Sequence, residues 1–232
     1  MLDIVVVTTF PAQYWHEGLS KAMLETLSAH WPAHVRKIAF VRDDLRHTIG
    51  SVAGVEIMNL DDRSTTLLSF IRKFAPAIKP LVTRDDRYEY KWDAASFAFK
   101  IAALDAARQL LDKPFHGYLV WLDADVVTLK DIPMDTIKEW CPDNVDVSCL
   151  LRAKFGPECG FIGYNWLARG SVLLDRVIAY YKPRADGTYP VFNQKEWHDS
   201  YVFGEALRAG RFCFLNLAAG TTEKHCWPDT PL

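Results

Sequence analysis

The chain has 232 residues, half of them hydrophobic and 24% charged, so we expect one globular domain over residues 1–232 with a sizeable core. A formal net charge of −2 and a pI near 6.4 argue against binding nucleic acid through many phosphates. The five cysteines form no CxxC pair and no apolar run approaches the ~20 residues of a membrane span, so we expect a soluble, cytoplasmic protein with reduced thiols.

Hydrophobic periodicity divides the chain into strands and helices. In chain order it predicts a strand at 2–7, a helix at 14–29, strands at 35–41 and 55–60, helices at 64–74 and 92–111, strands at 118–122, 145–150 and 161–164, helices at 171–181 and 198–209, and a strand at 212–217. Strands separated by helices favour a parallel sheet. We therefore predict an α/β fold with a central, mostly parallel sheet flanked by helices.

The strongest chemical signal is the acidic pair in YLVWLDADVVTL, residues 118–129. The predicted strand ends directly in Asp123, Ala124 and Asp125, at the carboxyl end where open α/β sheets bind their ligands. Carboxylates suit hard cations such as Mg²⁺ and Mn²⁺, and such a cation neutralises the diphosphate of a nucleotide sugar as it leaves. The chain has no GxxxxGK[ST] or GxGxxG motif, so no glycine-rich loop is available to hold phosphates.

Besides transfer of a sugar from a nucleotide sugar, two other functions are compatible with the acidic pair. Four apolar residues followed by DxD and Val127 resemble the nucleophile motif of haloacid-dehalogenase-like phosphatases, in which the first Asp attacks phosphorus. That motif normally opens its domain, whereas more than half of this chain precedes Asp123, and no late GDxxxD-like motif follows a suitable lysine. The remaining alternative is a non-catalytic protein that binds a nucleotide sugar or a glycan.

Segments along nearly the whole chain resemble one family. They are the first strand with Thr8 and Thr9, DAASFAFK at 93–100, the acidic pair with Ile132 and Pro133, ECGFIGYN at 158–165, WHDSYVF at 197–203 and KHCWP at 224–228. Together they resemble the GT-A-fold, DxD-containing nucleotide-sugar glycosyltransferases, broadly similar to the glycogenin and bacterial galactosyltransferase group. The resemblance implies a Rossmann-like GT-A domain with hexosyltransferase activity.

The resemblance also implies a role for each matching position. The implied donor-binding residues are Thr8, Thr9, Lys100, Asp123, Ala124, Asp125 and Gly160, with Arg84 as a further positive charge. The implied catalytic residues, near the reacting carbon, are Asp199 and Glu158. The implied ligands of Mn²⁺ or Mg²⁺ are Asp123, Asp125 and His225, although the glycine and lysine expected after this histidine are absent. Asp123 contacts either the metal or the ribose.

The partners implied are a nucleotide-sugar donor, with UDP-glucose or UDP-galactose expected, and an acceptor hydroxyl. Retaining and inverting chemistry both remain open. The acceptor is a glycan, a protein side chain, a small metabolite or a hydroxylated base in DNA. For DNA, a basic rim is predicted from Arg152, Lys154, Arg169, Arg208 and Arg211.

Overall fold

A computed structural model describes residues 2–75, 90–111, 114–152 and 156–219. The strands within these ranges are β1 Asp3–Thr9, β2 Arg36–Val41, β3 Glu56–Asn59, β4 Gly117–Leu122, β5 Val147–Arg152, β6 Gly156–Asn165 and β7 Phe214–Asn216. The α-helices are α1 Ala12–His16, α2 Leu19–His30, α3 Asp43–Ile49, α4 Thr65–Phe74, α5 Ala94–Arg108, α6 Met134–Trp140, α7 Gly170–Ala179 and α8 Asp199–Gly210. Short 3₁₀ turns cover Tyr90–Trp92 and Pro190–Asn193.

The strands form one sheet in the order β3-β2-β1-β4-β6-β5-β7. β1 pairs in parallel with β2 and β4, β2 with β3, and β5 with β7. β6 lies antiparallel to both of its neighbours, β4 and β5. The predicted α/β architecture, a mostly parallel central sheet flanked by helices, is therefore confirmed.

Helices cover both faces of the sheet, because successive side chains of a strand point to opposite sides. On β1, Val5 and Val7 pack in a cluster with α4, α5, α7 and α8, whereas Ile4 and Val6 pack in a second cluster with α2, α3 and α6. β4 is buried along its whole length. Burial on both faces explains why its sequence is a continuous apolar run rather than an alternating one.

Most predicted elements are confirmed to within a few residues, and the differences have local causes. The helix predicted at 14–29 is divided into α1 and α2, because Gly18 adopts a φ of +84°, in the left-handed region that favours glycine. The short helices α3 and α6 were not predicted. β6 begins at Gly156, five residues before the strand predicted at 161–164. The prediction began too late because Glu158 and Gly160 interrupt the apolar pattern of the strand.

The topology brings several chain segments to one edge of the sheet. β1 and β4 end at this edge because they are parallel, and β6 passes it in the opposite direction, with Phe161 opposite Leu122. The residues after β4 and the residues before Phe161 are therefore neighbours. No helix in the described part of the chain is long and apolar enough to cross a membrane.

Candidate active site at the carboxyl edge of the sheet

The acidic pair lies in a tight turn directly after β4. The Asp123 N–H donates to the carbonyl of Gly160 at 2.9 Å, and the Val126 N–H donates to the carbonyl of Asp123 at 3.1 Å. Ala124 is buried under the turn, whereas Asp125 is exposed. The side chain of Asp123 is 31% exposed. The turn thus ends the strand and leaves two carboxylates accessible at the edge of the sheet.

Lys100, on α5, lies at the centre of a buried ionic cluster beside this turn. Its ammonium is 2.8 Å from Oδ1 of Asp123, forms an ion pair with Oδ2 of Asp199, and donates to the carbonyl of Cys159 at 3.0 Å. Burial alone would lower the pKa of Lys100, but the two carboxylates outweigh it and raise the pKa well above its ordinary value. A lysine ammonium has three N–H donors, and here three acceptors occupy them.

This geometry changes how Lys100 can act. Because all three N–H groups of the ammonium face protein acceptors, none is left in this arrangement for a phosphate of the nucleotide sugar. Its contribution to the acidic pair is to hold Asp123 and to reduce the negative charge around it. Direct contact between Lys100 and a donor stays a prediction, while contact between Lys100 and the first residue of the pair is present.

Asp123 is oriented by a second hydrogen-bond donor, Trp121, which was not among the predicted site residues. The indole N–H of Trp121 donates to Oδ1 of Asp123 at 2.6 Å, and the Lys100 ammonium lies 5.0 Å from the centre of the Trp121 ring. Burial raises the pKa of Asp123 against the attraction of Lys100, and the nearby charge of Asp199 raises it further. The available signal was spacing: residues two apart on a strand share a face.

Gly160 separates Asp123 from Glu158. A Cβ at Gly160 would lie 3.7 Å from Oε1 of Glu158 and 3.9 Å from Oδ2 of Asp123. Glu158 also forms an ion pair with Arg152, with Nη1 and Oε2 2.9 Å apart. The absent side chain therefore leaves a gap between the two carboxylates. The donor-binding role of Gly160 stays a prediction.

Asp199 begins α8 and points into the site. Its Oδ2 binds Lys100, and its Oδ1 accepts the Ser200 N–H at 2.8 Å. His198 caps the helix by accepting the Tyr201 N–H at 3.4 Å, and its Nε2 lies 2.8 Å from Glu196. Asp199 is thus joined to Asp123 through one lysine, although 76 positions separate them in the sequence.

Thr8 and Thr9 are placed at this edge, but their hydroxyls face the fold. Thr8 has an exposed fraction of 0%, so its side chain offers no surface to a ligand. The Thr9 hydroxyl donates to the carbonyl of Phe40 on β2 at 2.6 Å. The Thr8 side chain is thus packed in the interior and the Thr9 hydroxyl is bound to β2, and donor contact by these two residues stays a prediction.

Tyr14, on α1, lies near the acidic pair and was not predicted. Burial raises the pKa of Tyr14, and the charges of Asp125 and then Asp123 raise it further. The position follows from the topology, because α1 begins just after β1 ends and β1 is the neighbour of β4. A half-buried phenol therefore borders the second carboxylate.

The loop after the pair is attached to the end of α2. The hydroxyl of Thr26 accepts the Thr128 N–H at 3.1 Å, and the Trp31 indole donates to the Thr128 hydroxyl at 3.1 Å. The Ile132 N–H donates to the carbonyl of His30 at 3.0 Å. These bonds fix the path of residues 126–132.

The two carboxylates of the pair fit a hard divalent cation. Asp125 makes no hydrogen bond or ion pair with any described residue, and Oδ2 of Asp123 accepts none from them either. Within the described ranges, no group of three His, Cys, Asp or Glu side chains forms a metal site. Mg²⁺ in proteins is typically held by one or two carboxylates together with waters and substrate phosphates. His225 and Arg84 lie outside the described residues.

The predicted basic rim is not one surface. Arg169 binds Asp146 at 2.8 Å and also donates to the carbonyl of Arg211, at the end of the sheet where β4 begins, opposite the acidic pair. Arg208 forms an ion pair with Glu205, and Arg152 with Glu158. Lys154 is outside the described part of the chain. The prediction of a continuous basic rim is thus wrong for the arginines that the structure describes.

Aromatic and charged side chains border the Asp199 end of the site instead. Tyr90 is 46% exposed, and its ring lies 5.3 Å from that of His198. The Trp197 N–H donates to the carbonyl of Lys91 at 2.7 Å, and the Lys91 ammonium lies 3.5 Å from Glu196. The exposed ring of Tyr90 therefore contacts His198, the residue before Asp199, and the paired Lys91 and Glu196 lie beside it.

No protein-family model matches the chain, and no curated protein matches it. Among solved structures, apo mouse xyloside xylosyltransferase 1 is similar over 94% of this chain and 85% of that one, with a TM-score of 0.52 and 12% identity. The apo form of the glycosyltransferase GlyE of Streptococcus pneumoniae TIGR4 is similar over 93% of this chain, with a TM-score of 0.51 and 14% identity. A second GlyE structure is similar over 95% of this chain, with a TM-score of 0.50 and 15% identity.

The chain spans 46% and 47% of the two GlyE chains, less than half of their length. At these identities the likeness shows the fold alone, and the fold is the one that these glycosyltransferases have. The predicted grouping with glycogenin and bacterial galactosyltransferases stays a prediction.

Proposed function

We propose that this chain is a metal-dependent glycosyltransferase that moves a hexose from a nucleotide-diphosphate sugar, with UDP as the expected nucleotide, to an acceptor hydroxyl. The observation that carries the proposal is the cluster of Asp123, Lys100 and Asp199 beside exposed Asp125, at the carboxyl edge of a glycosyltransferase-fold sheet. This edge is where open α/β folds bind their ligands.

Asp125 and Oδ2 of Asp123 would hold Mn²⁺ or Mg²⁺ together with oxygens of the donor diphosphate. Such a cation supplies Lewis-acid neutralisation of the departing phosphate. Glu158 borders Asp123 across Gly160, which supports the expectation that the sugar lies in this gap. Asp199 and Glu158 remain the proposed bases for the acceptor hydroxyl, and each would first have to exchange its present partner, Lys100 or Arg152, for that hydroxyl.

For the acceptor we favour a glycan over DNA. The exposed ring of Tyr90 and the paired Lys91 and Glu196 next to Asp199 offer an apolar face and hydrogen-bonding groups, the combination that suits a sugar ring. Three of the arginines that would bind phosphates, Arg152, Arg169 and Arg208, are paired with carboxylates. Arg169 and Arg211 lie at the opposite end of the sheet.

A nucleotide-release screen tests the proposal. UDP-, GDP-, ADP- and CMP-sugars are each incubated with Mn²⁺ or EDTA, first alone and then with methyl glycosides or hydroxymethylated duplex DNA as acceptors. We expect metal-dependent release from one donor, stimulated by a glycoside. Asp125→Ala should abolish it, because the accessible carboxylate is lost.

Asp131→Ala is the matched control. Asp131 belongs to the same loop, but its carboxylate is exposed and binds His30 rather than facing the pair, so release should persist. Donor binding without release in the wild type would favour the non-catalytic alternative. No nucleotide release from any donor, combined with metal-dependent cleavage of a phosphate ester, would favour the phosphatase.

A further inference from the structure

Trp121 is a core residue by burial, yet its one polar atom reaches the candidate site. The side chain is 2% exposed and packs in the cluster with α5. Trp121 and Asp123 lie two residues apart at the end of β4, so both point toward Lys100. Two donors, the indole N–H at 2.6 Å and the ammonium at 2.8 Å, meet on one oxygen, Oδ1 of Asp123.

The other oxygen of Asp123 has a different environment. Oδ2 accepts no hydrogen bond from a described residue and faces the gap at Gly160, 3.9 Å from where a Cβ would lie. The terminal torsion of an aspartate is normally broad, so an unrestrained Asp123 carboxylate would take many orientations. Two donors on one oxygen fix the plane of the carboxylate and direct Oδ2 to the gap.

From this asymmetry we infer that Trp121 is a positioning residue: together with Lys100 it fixes Oδ1 of Asp123 so that Asp123 presents only Oδ2 to a divalent cation. The inference rests on the proposed function, since it concerns the cation of that site. The inference also makes Asp125 the second carboxylate ligand of the cation, because Asp125 is exposed and its side chain contacts no described side chain through a hydrogen bond or ion pair.

The indole is suited to this task because it only donates. An acceptor at this position would repel the carboxylate, and a phenyl ring would keep an apolar aromatic face beside the ammonium but lose the N–H and part of the packing. Lys100 alone would then hold Oδ1 while also serving Asp199 and the carbonyl of Cys159. Asp123 would regain rotational freedom.

The test is Mn²⁺ binding by titration calorimetry, with the metal alone and no nucleotide, on wild type and Trp121→Phe. Outer partners of metal ligands typically contribute about 10- to 100-fold to metal affinity, so we expect the Mn²⁺ Kd to rise by that factor. Trp166→Phe is the control, because Trp166 lies at the amino end of β4, where its backbone N–H donates to the carbonyl of Gly117. Its Kd should equal that of wild type, and thermal unfolding checks that each variant is folded.

Each result bears on a separate claim. Equal Mn²⁺ Kd values for wild type and folded Trp121→Phe overturn this inference while the proposed function stands. A wild type that binds no Mn²⁺ overturns both.

If Trp121→Phe does not fold, a measurement on the wild type alone tests the inference. In ¹⁵N-labelled protein the indole N–H signal of Trp121 should shift on addition of Mg²⁺, and that of Trp166 should not. An unchanged Trp121 signal at a Mg²⁺ concentration that stabilises the protein overturns the inference.

Discussion

Replacing Lys100 by Met removes the cation from the ionic cluster while keeping a side chain of similar length. Asp123 and Asp199 then face each other without their shared partner. Breaking a buried pair in this way costs about 3–5 kcal/mol, and the smaller value is expected because Asp123 is partly open to water. A loss of about 3 kcal/mol in a domain of this size lowers the melting temperature by about 6–12 °C.

The pH dependence of this loss has a defined sign. The pKa of Lys100 is raised in the fold, so its stabilising charge is present throughout the range below about pH 10 and is lost only as the pH rises through that higher value. In Lys100→Met, protonation of Asp123, whose pKa is already raised by burial and by the charge of Asp199, relieves the repulsion between the two carboxylates. The difference in unfolding free energy between wild type and variant should therefore shrink as the pH falls toward about 4.

Chemical denaturation of a double-mutant cycle measures the effect directly. The double variant Lys100→Met with Asp199→Asn should lose less than the sum of the two single variants, by about 0.5–3 kcal/mol, because the buried carboxylate of Asp199 is no longer left unpaired and no longer repels Asp123. Strict additivity, or a single variant that melts like wild type, would refute the shared ion pair.

Two further predictions concern Gly160 and Asp146. Gly160→Ala adds a methyl at ordinary contact distance from the neighbouring carboxylates, so the melting temperature should hardly change while donor turnover falls about 10- to 200-fold; normal turnover would mean that the gap is not used. Burial raises the pKa of Asp146, but hydrogen bonds from Arg169 and the Cys213 N–H outweigh it, and the pKa is lowered. Asp146→Asn should therefore cost about 2 kcal/mol at neutral pH. The cost should disappear as the pH falls below about 4 through the lowered pKa, and a pH-independent loss in denaturation curves would contradict this cause.

The fold was largely predictable because its strongest signals are local. The apolar run of β4 and the pair that follows it predicted both the buried strand and the edge at which it ends. The break at Gly18 was not predictable from periodicity, because apolar positions continue at helical spacing on both sides of the glycine.

The site was predictable in its members but not in its connections. Lys100 and Asp199 were assigned separately through resemblance, yet their contact spans 99 positions and depends on how α5 and α8 pack on the sheet. Trp121 lies within the apolar run of the predicted strand at 118–122, and nothing in a sequence tells where a buried indole N–H points. Thr8 had the right place at the end of a strand, but strand alternation turned its side chain into the packed layer.

The attachment of the loop at 126–132 to α2 has a consequence for ligand affinity. Thr26 and Trp31 hold Thr128, and His30 holds Ile132, so the segment that carries Asp125 is ordered when the protein folds. The conformational entropy of this segment is then lost at folding and not again when a ligand arrives. The backbone next to Asp125 is consequently held by a helix on the opposite face of the sheet from Lys100. If Thr26 or Trp31 is replaced, a cation at the proposed site would have to order this segment at each binding event.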